Sequence, residues 1–190
     1  MFKKLPPLVI LAFLVSNVYG TQGQFYGEFG GAIAHPKDET KYGDVKFIEL
    51  GYQKEVGKFI RSAGIGGWSD TTNYEGSSGI HLKDIKDGRG HTVFKGGDLK
   101  EKARSSYYFT AMVGVEPKTD SVYLSYKIGP AIITHTDALL GSNLQVHQEI
   151  ELGLYDSRGV RFGLCAKHMS NAGIVKPNLG RNFMGIKAAF

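Results

Sequence analysis

The chain has 190 residues and a formal charge of +5, enough length for one domain and too little charge to argue for a nucleic-acid partner. Its single cysteine, Cys165, excludes an internal disulfide framework. An abundance of glycine (26), tyrosine (10) and phenylalanine (11) fits a Gly- and aromatic-rich β protein.

Residues 1–20, MFKKLPPLVILAFLVSNVYG, read as a secretory signal peptide. Lys3 and Lys4 supply the positive start, Leu8 to Val15 the apolar run, and Val18-Tyr19-Gly20 a small-residue cleavage site. The apolar run falls well short of the ~20 residues a spanning helix requires. With Lys3 and Lys4 removed, the charge of the mature chain 21–190 falls to +3.

Along 21–190 the recurring feature is a stretch of about ten residues with period-two alternation, closed by turn residues, which is the pattern of transmembrane β-strands. Eight stretches are predicted: 24–34, 44–55, 58–68, 107–116, 121–132, 143–155, 159–170 and 182–190. In the fifth, Val122, Leu124, Tyr126 and Ile128 alternate with Ser121, Tyr123, Ser125 and Lys127. In the sixth, Leu144, Val146, Ile150, Leu152 and Leu154 alternate with Gln145, His147, Glu149 and Glu151. The third is ambiguous, because Arg61 shares parity with Ala63 and Ile65.

Connection lengths alternate too. The links 56–57, 117–120 and 156–158 are tight, whereas 35–43, 69–106, 133–142 and 171–181 are long. Tight turns at one end and long loops at the other are the mark of an outer-membrane barrel, with apolar rows on lipid and a packed polar interior. The chain closes on an aromatic, Phe190, in the apolar row of the last stretch. The expected fold is therefore an all-β, eight-stranded antiparallel transmembrane barrel in the outer membrane of a Gram-negative-type cell. The loop 69–106 mixes seven basic with six acidic residues and reads as a solvated external flap. Glu28, Glu49, Lys127, Glu149, Glu151, Arg161 and Lys167 have inward parity and predict an ion-pair network filling the barrel. His147 and Cys165 belong to the same inward set. His35, His81, His91 and His135 fall in loops without metal-ligand spacing.

The seventh stretch carries the chemistry. One face reads Val160, Phe162, Leu164, Ala166, His168, Ser170, so an imidazole and a hydroxyl continue a lipid-facing row at its outer end. Their Cα atoms are ~6.6–7 Å apart on an extended strand, within reach after modest bending. Serine is a weak nucleophile until a base takes its proton, and histidine suits that task. The base needs an orienting partner, but residues 157–190 contain no Asp or Glu. The local candidate is Asn182, on the outward parity of the eighth stretch. A hairpin centred near Lys176 would set Ser170 opposite Asn182, with His168 diagonal to it. A nucleophile at this address has lipid esters as its substrates.

The run His168-Met169-Ser170-Asn171-Ala172-Gly173-Ile174, with Pro177-Asn178 and Gly180, resembles the His-x-Ser-Asn motif of the PagL-type lipid A 3-O-deacylases. These are eight-stranded outer-membrane hydrolases that release a 3-O-linked hydroxyacyl chain. The resemblance implies His168 as general base, Ser170 as nucleophile, and Asn171 with the Gly173 N–H as oxyanion donors. It implies lipid A, or lipopolysaccharide, as substrate among the outer-membrane lipids, and no metal or organic cofactor. Lys176 and Arg181 then have two readings, as clamps on lipid A phosphates or as ordinary loop solubility. The sequence departs from the family at one point: fourteen residues after the histidine, where the family has an acid, stands Asn182. A slow or inactive barrel with a structural or adhesive role, and a different outer-membrane acyl hydrolase, stay open as alternatives, as does a homo-oligomer.

Overall fold

In a computed structural model, residues 23–33, 45–70, 81–82, 85–86, 92–94, 97–98, 105–136, 140–175, 178 and 180–190 are described. The proposed signal peptide, Lys176 and most of the loop 71–104 lie outside the described residues.

Hydrocarbon offers no hydrogen-bond partner, so a strand can cross it only if both edges are paired, and a closed sheet meets that demand. The chain does this with strands β1 (Gln24–Ala32), β2 (Lys46–Val56), β3 (Phe59–Ser69), β8 (Ser106–Val115), β9 (Val122–Ile133), β10 (Leu144–Tyr155), β11 (Arg161–Ser170) and β12 (Arg181–Ala189). They close in the order β1-β12-β11-β10-β9-β8-β3-β2, and every neighbouring pair is antiparallel. Four two- or three-residue strands, β4 (His81–Leu82), β5 (Ile85–Lys86), β6 (Thr92–Phe94) and β7 (Gly97–Asp98), form two small ladders, β4 with β7 and β5 with β6, between β3 and β8. The eight predicted stretches thus coincide with the barrel strands, with ends that differ by a residue or two.

Alternation sorts the side chains. Phe29, Ile48, Leu50, Ile65, Leu152, Leu164 and Met184 stand exposed on the outer wall, where lipid rather than water receives them. Arg61 is also outward, in the third pair from the tight Gly57-Lys58 turn and opposite Lys54, so its long side chain reaches the headgroup level from the end of the strand. That position resolves the mixed parity of the third stretch.

The lumen is packed in two zones. Through the middle, Lys167 Nζ lies 2.7 Å from Glu28 and 2.6 Å from Glu49. Lys127 meets Glu149 at 2.5 Å, and Lys187 meets Glu149 at 2.9 Å and Glu151 at 3.2 Å. Tyr26 and Tyr108 donate to Glu49 at 2.5 and 2.7 Å, and Tyr123 donates to Glu151 at 2.5 Å. Cys165 Sγ donates to Glu28 at 2.8 Å and is buried. Arg161 pairs with Glu116. Carboxylate oxygens of Glu28, Glu49 and Glu149 converge closely enough to hold a cation, but the Lys167 ammonium already bonds Glu28 and Glu49 and lies 3.4 Å from Glu149. Room for the Tyr26 ring comes from Gly51, where an added Cβ would sit 2.4 Å from it.

At the outward end the polar filling gives way to an apolar plug of Phe47, Trp68, Tyr108, Ile133, Leu140, Met169 and Phe183. Phe183 packs edge-on to Phe47 and tilted against Trp68. Met169 and Phe183 are the chain neighbours of His168 and Asn182, so the plug anchors the wall on which those residues stand.

Removing one partner of a buried ion cluster strands the others without solvent. Lys167→Met, which leaves Glu28 and Glu49 without their ammonium, is expected to lower unfolding free energy by about 3–5 kcal/mol in detergent. Lys118→Ala, which breaks the half-exposed turn pair with Glu55 at 2.7 Å, should cost at most about 1 kcal/mol. Urea titration followed by the gel mobility of folded against unfolded barrel measures both.

Candidate active site

β11 and β12 run side by side, and their register pairs His168 directly with Asn182 and Met169 with Arg181. His168, Ser170 and Asn182 are all half-buried on the outer wall. His168 Nδ1 and Asn182 Oδ1 are 2.8 Å apart. An amide oxygen can only accept, so this contact places the proton on Nδ1 and leaves Nε2 bare, the form a general base needs. Asn182 is held by its backbone as well, for its carbonyl accepts from Ile33 N–H at 3.0 Å.

The hairpin expected from the sequence was centred one residue later, with Ser170 opposite Asn182. The ladder instead sets His168 there, a shift of two positions along one strand. Such a shift keeps every side chain on its face, which is why facing alone did not determine it. The consequence is that Asn182 meets the imidazole squarely. Ser170 ends β11 and comes next outward on the same face as His168. Among the described residues, no hydrogen bond joins the Ser170 hydroxyl to His168 or to any other side chain.

Gly180, just before β12, closes the site from the far side. It has φ +74°, and a Cβ added there would stand 2.6 Å from His168 Cε1, 3.3 Å from its Nε2 and 3.0 Å from the Met169 carbonyl. The imidazole edge that carries the bare nitrogen therefore lies over a glycine.

The turn after Ser170 is organised by Asn171, which is fully buried. Its backbone N–H donates to Asn178 Oδ1 at 2.9 Å, its Nδ2 donates to the Val175 carbonyl at 2.8 Å, and its Oδ1 accepts from Gly173 N–H at 3.0 Å. Ala172 and Gly173 follow with φ +53° and +80°, a left-handed pair that costs energy at the alanine. Here the structure engages both of the expected oxyanion donors within the turn. Asn171 and Gly173 sit beside Ser170, and their N–H groups are bonded inside the turn.

Arg181 lies elsewhere than expected. It shares parity with Phe183 and Lys187, points into the lumen, pairs with Asp70 at 2.8 Å and lies over the Trp68 ring. A buried guanidinium in an ion pair is not a clamp for a phosphate at the outer wall. Lys176, the other expected phosphate contact, lies outside the described residues. Glu149 and Glu151 are buried against lysines in the interior, so neither reaches His168. His147 is an interior histidine 3.1 Å from Thr110 Oγ1.

Two residues have no role assigned from the sequence. Asn178 docks by its Oδ1 on the N–H that follows Ser170, which turns its amide nitrogen away from that bond. Gln148 pairs directly with His168 from β10. Its signal was a polar residue interrupting the apolar row Leu144, Val146, Ile150, Leu152.

Fold and site together define an eight-stranded barrel of the outer-membrane type with a histidine, a serine and an asparagine grouped on its lipid face. The model of the lipid A 3-O-deacylase (PagL) family matches residues 48–190, and the chain belongs to that family. Among solved structures it is similar to the crystal structure of the outer membrane enzyme PagL, at 20% identity and a TM-score of 0.57, covering 88% of this chain and 98% of that one. It is also similar to the Yersinia pestis outer membrane protein Ail in a phospholipid bilayer nanodisc, at 11% identity and a TM-score of 0.44, covering 89% of this chain and 100% of that one. No curated protein matches the chain. The protein is thus an outer-membrane, lipid A 3-O-deacylase-like hydrolase.

Gly180→Ala tests the packing of the base. The added methyl must push the ring or the Met169 backbone, and a displacement near 1 Å at a reacting group costs about 10²-fold in rate. A folded, heat-modifiable barrel with deacylation reduced by that order is the expected outcome, read from lipid A masses.

Proposed function

We propose that this protein is a serine esterase that hydrolyses the 3-O-linked hydroxyacyl ester of lipid A in the outer leaflet. The observation that carries the reading is the 2.8 Å His168 Nδ1–Asn182 Oδ1 contact on the lipid-facing wall beside Ser170. Nδ1 is engaged, Nε2 is left bare, and the hydroxyl is the next same-face group along the strand.

The chemistry follows the acyl-transfer sequence. Ser170 Oγ attacks the ester carbonyl as its proton passes to His168 Nε2, and the carbonyl electrons move onto oxygen. The tetrahedral intermediate collapses, the sugar oxygen leaves, and His168 returns the proton to it. Water then attacks the acyl-serine, gives a proton to His168 and releases the fatty acid, while Ser170 recovers its hydrogen. Asn182 orients the ring throughout. It brings no negative charge to the imidazolium, which supports a slower turnover than an acid would give; the corresponding Asp-to-Asn change in a serine protease costs ~10⁴-fold.

The oxyanion needs donors aimed at the carbonyl oxygen. With Asn171 and Gly173 committed to the turn, the Asn178 amide nitrogen, one residue from Ser170 through its bond to Asn171 N–H, is the group that supplies one. Gly173 contributes only if its N–H exchanges Asn171 Oδ1 for substrate. The headgroup sugar then lies over the 171–180 turn and the acyl chain descends along β11.

Ser170→Ala and His168→Ala should each abolish release of the hydroxyacyl chain, followed as a mass loss from lipid A; persistence of that loss in Ser170→Ala contradicts the esterase. Asn182→Ala should reduce the rate about ten- to hundredfold, as loss of an oriented base does. Asn182→Glu should maintain or raise it. Equal rates in both Asn182 variants and the parent would remove Asn182 from the mechanism.

A further inference from the structure

We propose that Gln148 is a specificity determinant of this site, donating a hydrogen bond from its amide nitrogen to a hydroxyl borne by the acyl chain close to the ester carbonyl. The inference rests on the esterase reading above and extends it to the chain that is cleaved.

Gln148 lies on the outward parity of β10 and is half-buried there. Its cross-strand partners are His168 on β11 and Ile128 on β9. Asn182, His168 and Gln148 therefore form one polar row across β12, β11 and β10, with Asn182 on one flank of the base and Gln148 on the other. The rest of that wall is apolar: Ile150 and Leu152 continue β10, and Ile128 flanks Gln148. A carboxamide facing hydrocarbon without full hydrogen bonding is costly, and polar groups at such places mark substrate paths.

Half of this amide is already satisfied. Tyr126 donates its phenol hydrogen to Gln148 Oε1 at 3.3 Å, which fixes the carbonyl end toward β9. Among the described residues, nothing accepts from the Gln148 amide nitrogen. The group that remains is a donor, on the wall beside the acid–base histidine, and it asks for an acceptor carried by the lipid.

Register says where on the lipid that acceptor sits. Ser170 pairs with Val146, and His168 with Gln148, so Gln148 is one same-face step from the nucleophile toward the membrane interior. That step is ~6.6–7 Å of strand. An acyl chain whose carbonyl is at Ser170 and whose tail enters the bilayer must pass this row in its first few carbons. A hydroxyl two carbons beyond the carbonyl lies roughly 3–4 Å from it by ordinary bond lengths, and the glutamine side chain spans the difference. A plain acyl chain offers nothing there, and the donor would face methylene. A site built to bond a hydroxyl rejects the analogue that lacks it, because its own polar group is left unpaired.

The test uses the purified full-length barrel in detergent micelles with two synthetic probes. Both are acylated glucosamine phosphates with a 3-O-ester of equal chain length, one with a 3-hydroxyl on the acyl chain and one without. The parent is expected to prefer the hydroxylated probe by about tenfold in kcat/KM, the size of one net hydrogen bond. In Gln148→Leu the ratio should fall to about one, and in Tyr126→Phe, which frees the amide without removing it, the ratio should fall part of the way. Heat-modifiable gel mobility establishes that each variant is folded. A parent without preference, or a Gln148→Leu variant that keeps it, overturns the inference while hydrolysis that depends on Ser170 leaves the esterase standing. Hydrolysis of either probe that persists in Ser170→Ala overturns both.

Discussion

Hydrocarbon cannot hydrogen-bond, and that constraint shapes both the fold and the site. It forces every strand edge into a closed ladder, and it makes each side chain choose between a lipid-facing wall and a sealed lumen. On such a wall a polar side chain is an anomaly that needs a use. His168, Ser170, Asn182 and Gln148 stand together as that anomaly at the outer end of β10, β11 and β12, while the charged residues of the same strands are turned inside and neutralised by one another.

The two faces of each strand are coupled through the backbone. Met169 and Phe183, the neighbours of the base and of its orienting amide, are locked into the apolar plug at the outward mouth. Arg181, next to Asn182, is tied to Asp70 beneath the same wall. The reactive groups thus ride on a rigid interior, in keeping with the need to hold such groups to within a fraction of an ångström. The turn beyond Ser170, gathered on Asn171 with a left-handed alanine and glycine, sets how the chain leaves the wall and where Asn178 sits.

Much of this was legible in the residues. Period two located all eight barrel strands, and the alternation of tight and long connections distinguished the two ends. The inward parity of Glu28, Glu49, Glu149 and Lys167 foretold the ion-pair core, and His168 and Ser170 stand on the wall where their parity put them. What parity could not deliver was register, because sliding β11 against β12 by two residues changes no facing and yet moves Asn182 from Ser170 to His168. A last strand that starts at Asn182 leaves Arg181 in the loop, whereas β12 starts at Arg181 and turns it inward. The commitments of Asn171 and Gly173 depend on how the 171–180 turn folds back on itself, which no periodicity encodes.

The family assignment rests on residues 48–190 and the barrel on eight paired strands, whereas the mechanism stands on one hydroxyl becoming a nucleophile at the lipid wall. The most direct measurement is covalent trapping: incubation of the folded barrel with an alkyl fluorophosphonate, followed by peptide mass spectrometry. The account predicts a single phosphonyl adduct on Ser170, lost when His168 is replaced by alanine. An adduct elsewhere, or a Ser170 adduct that forms at the same rate without the imidazole, would contradict it.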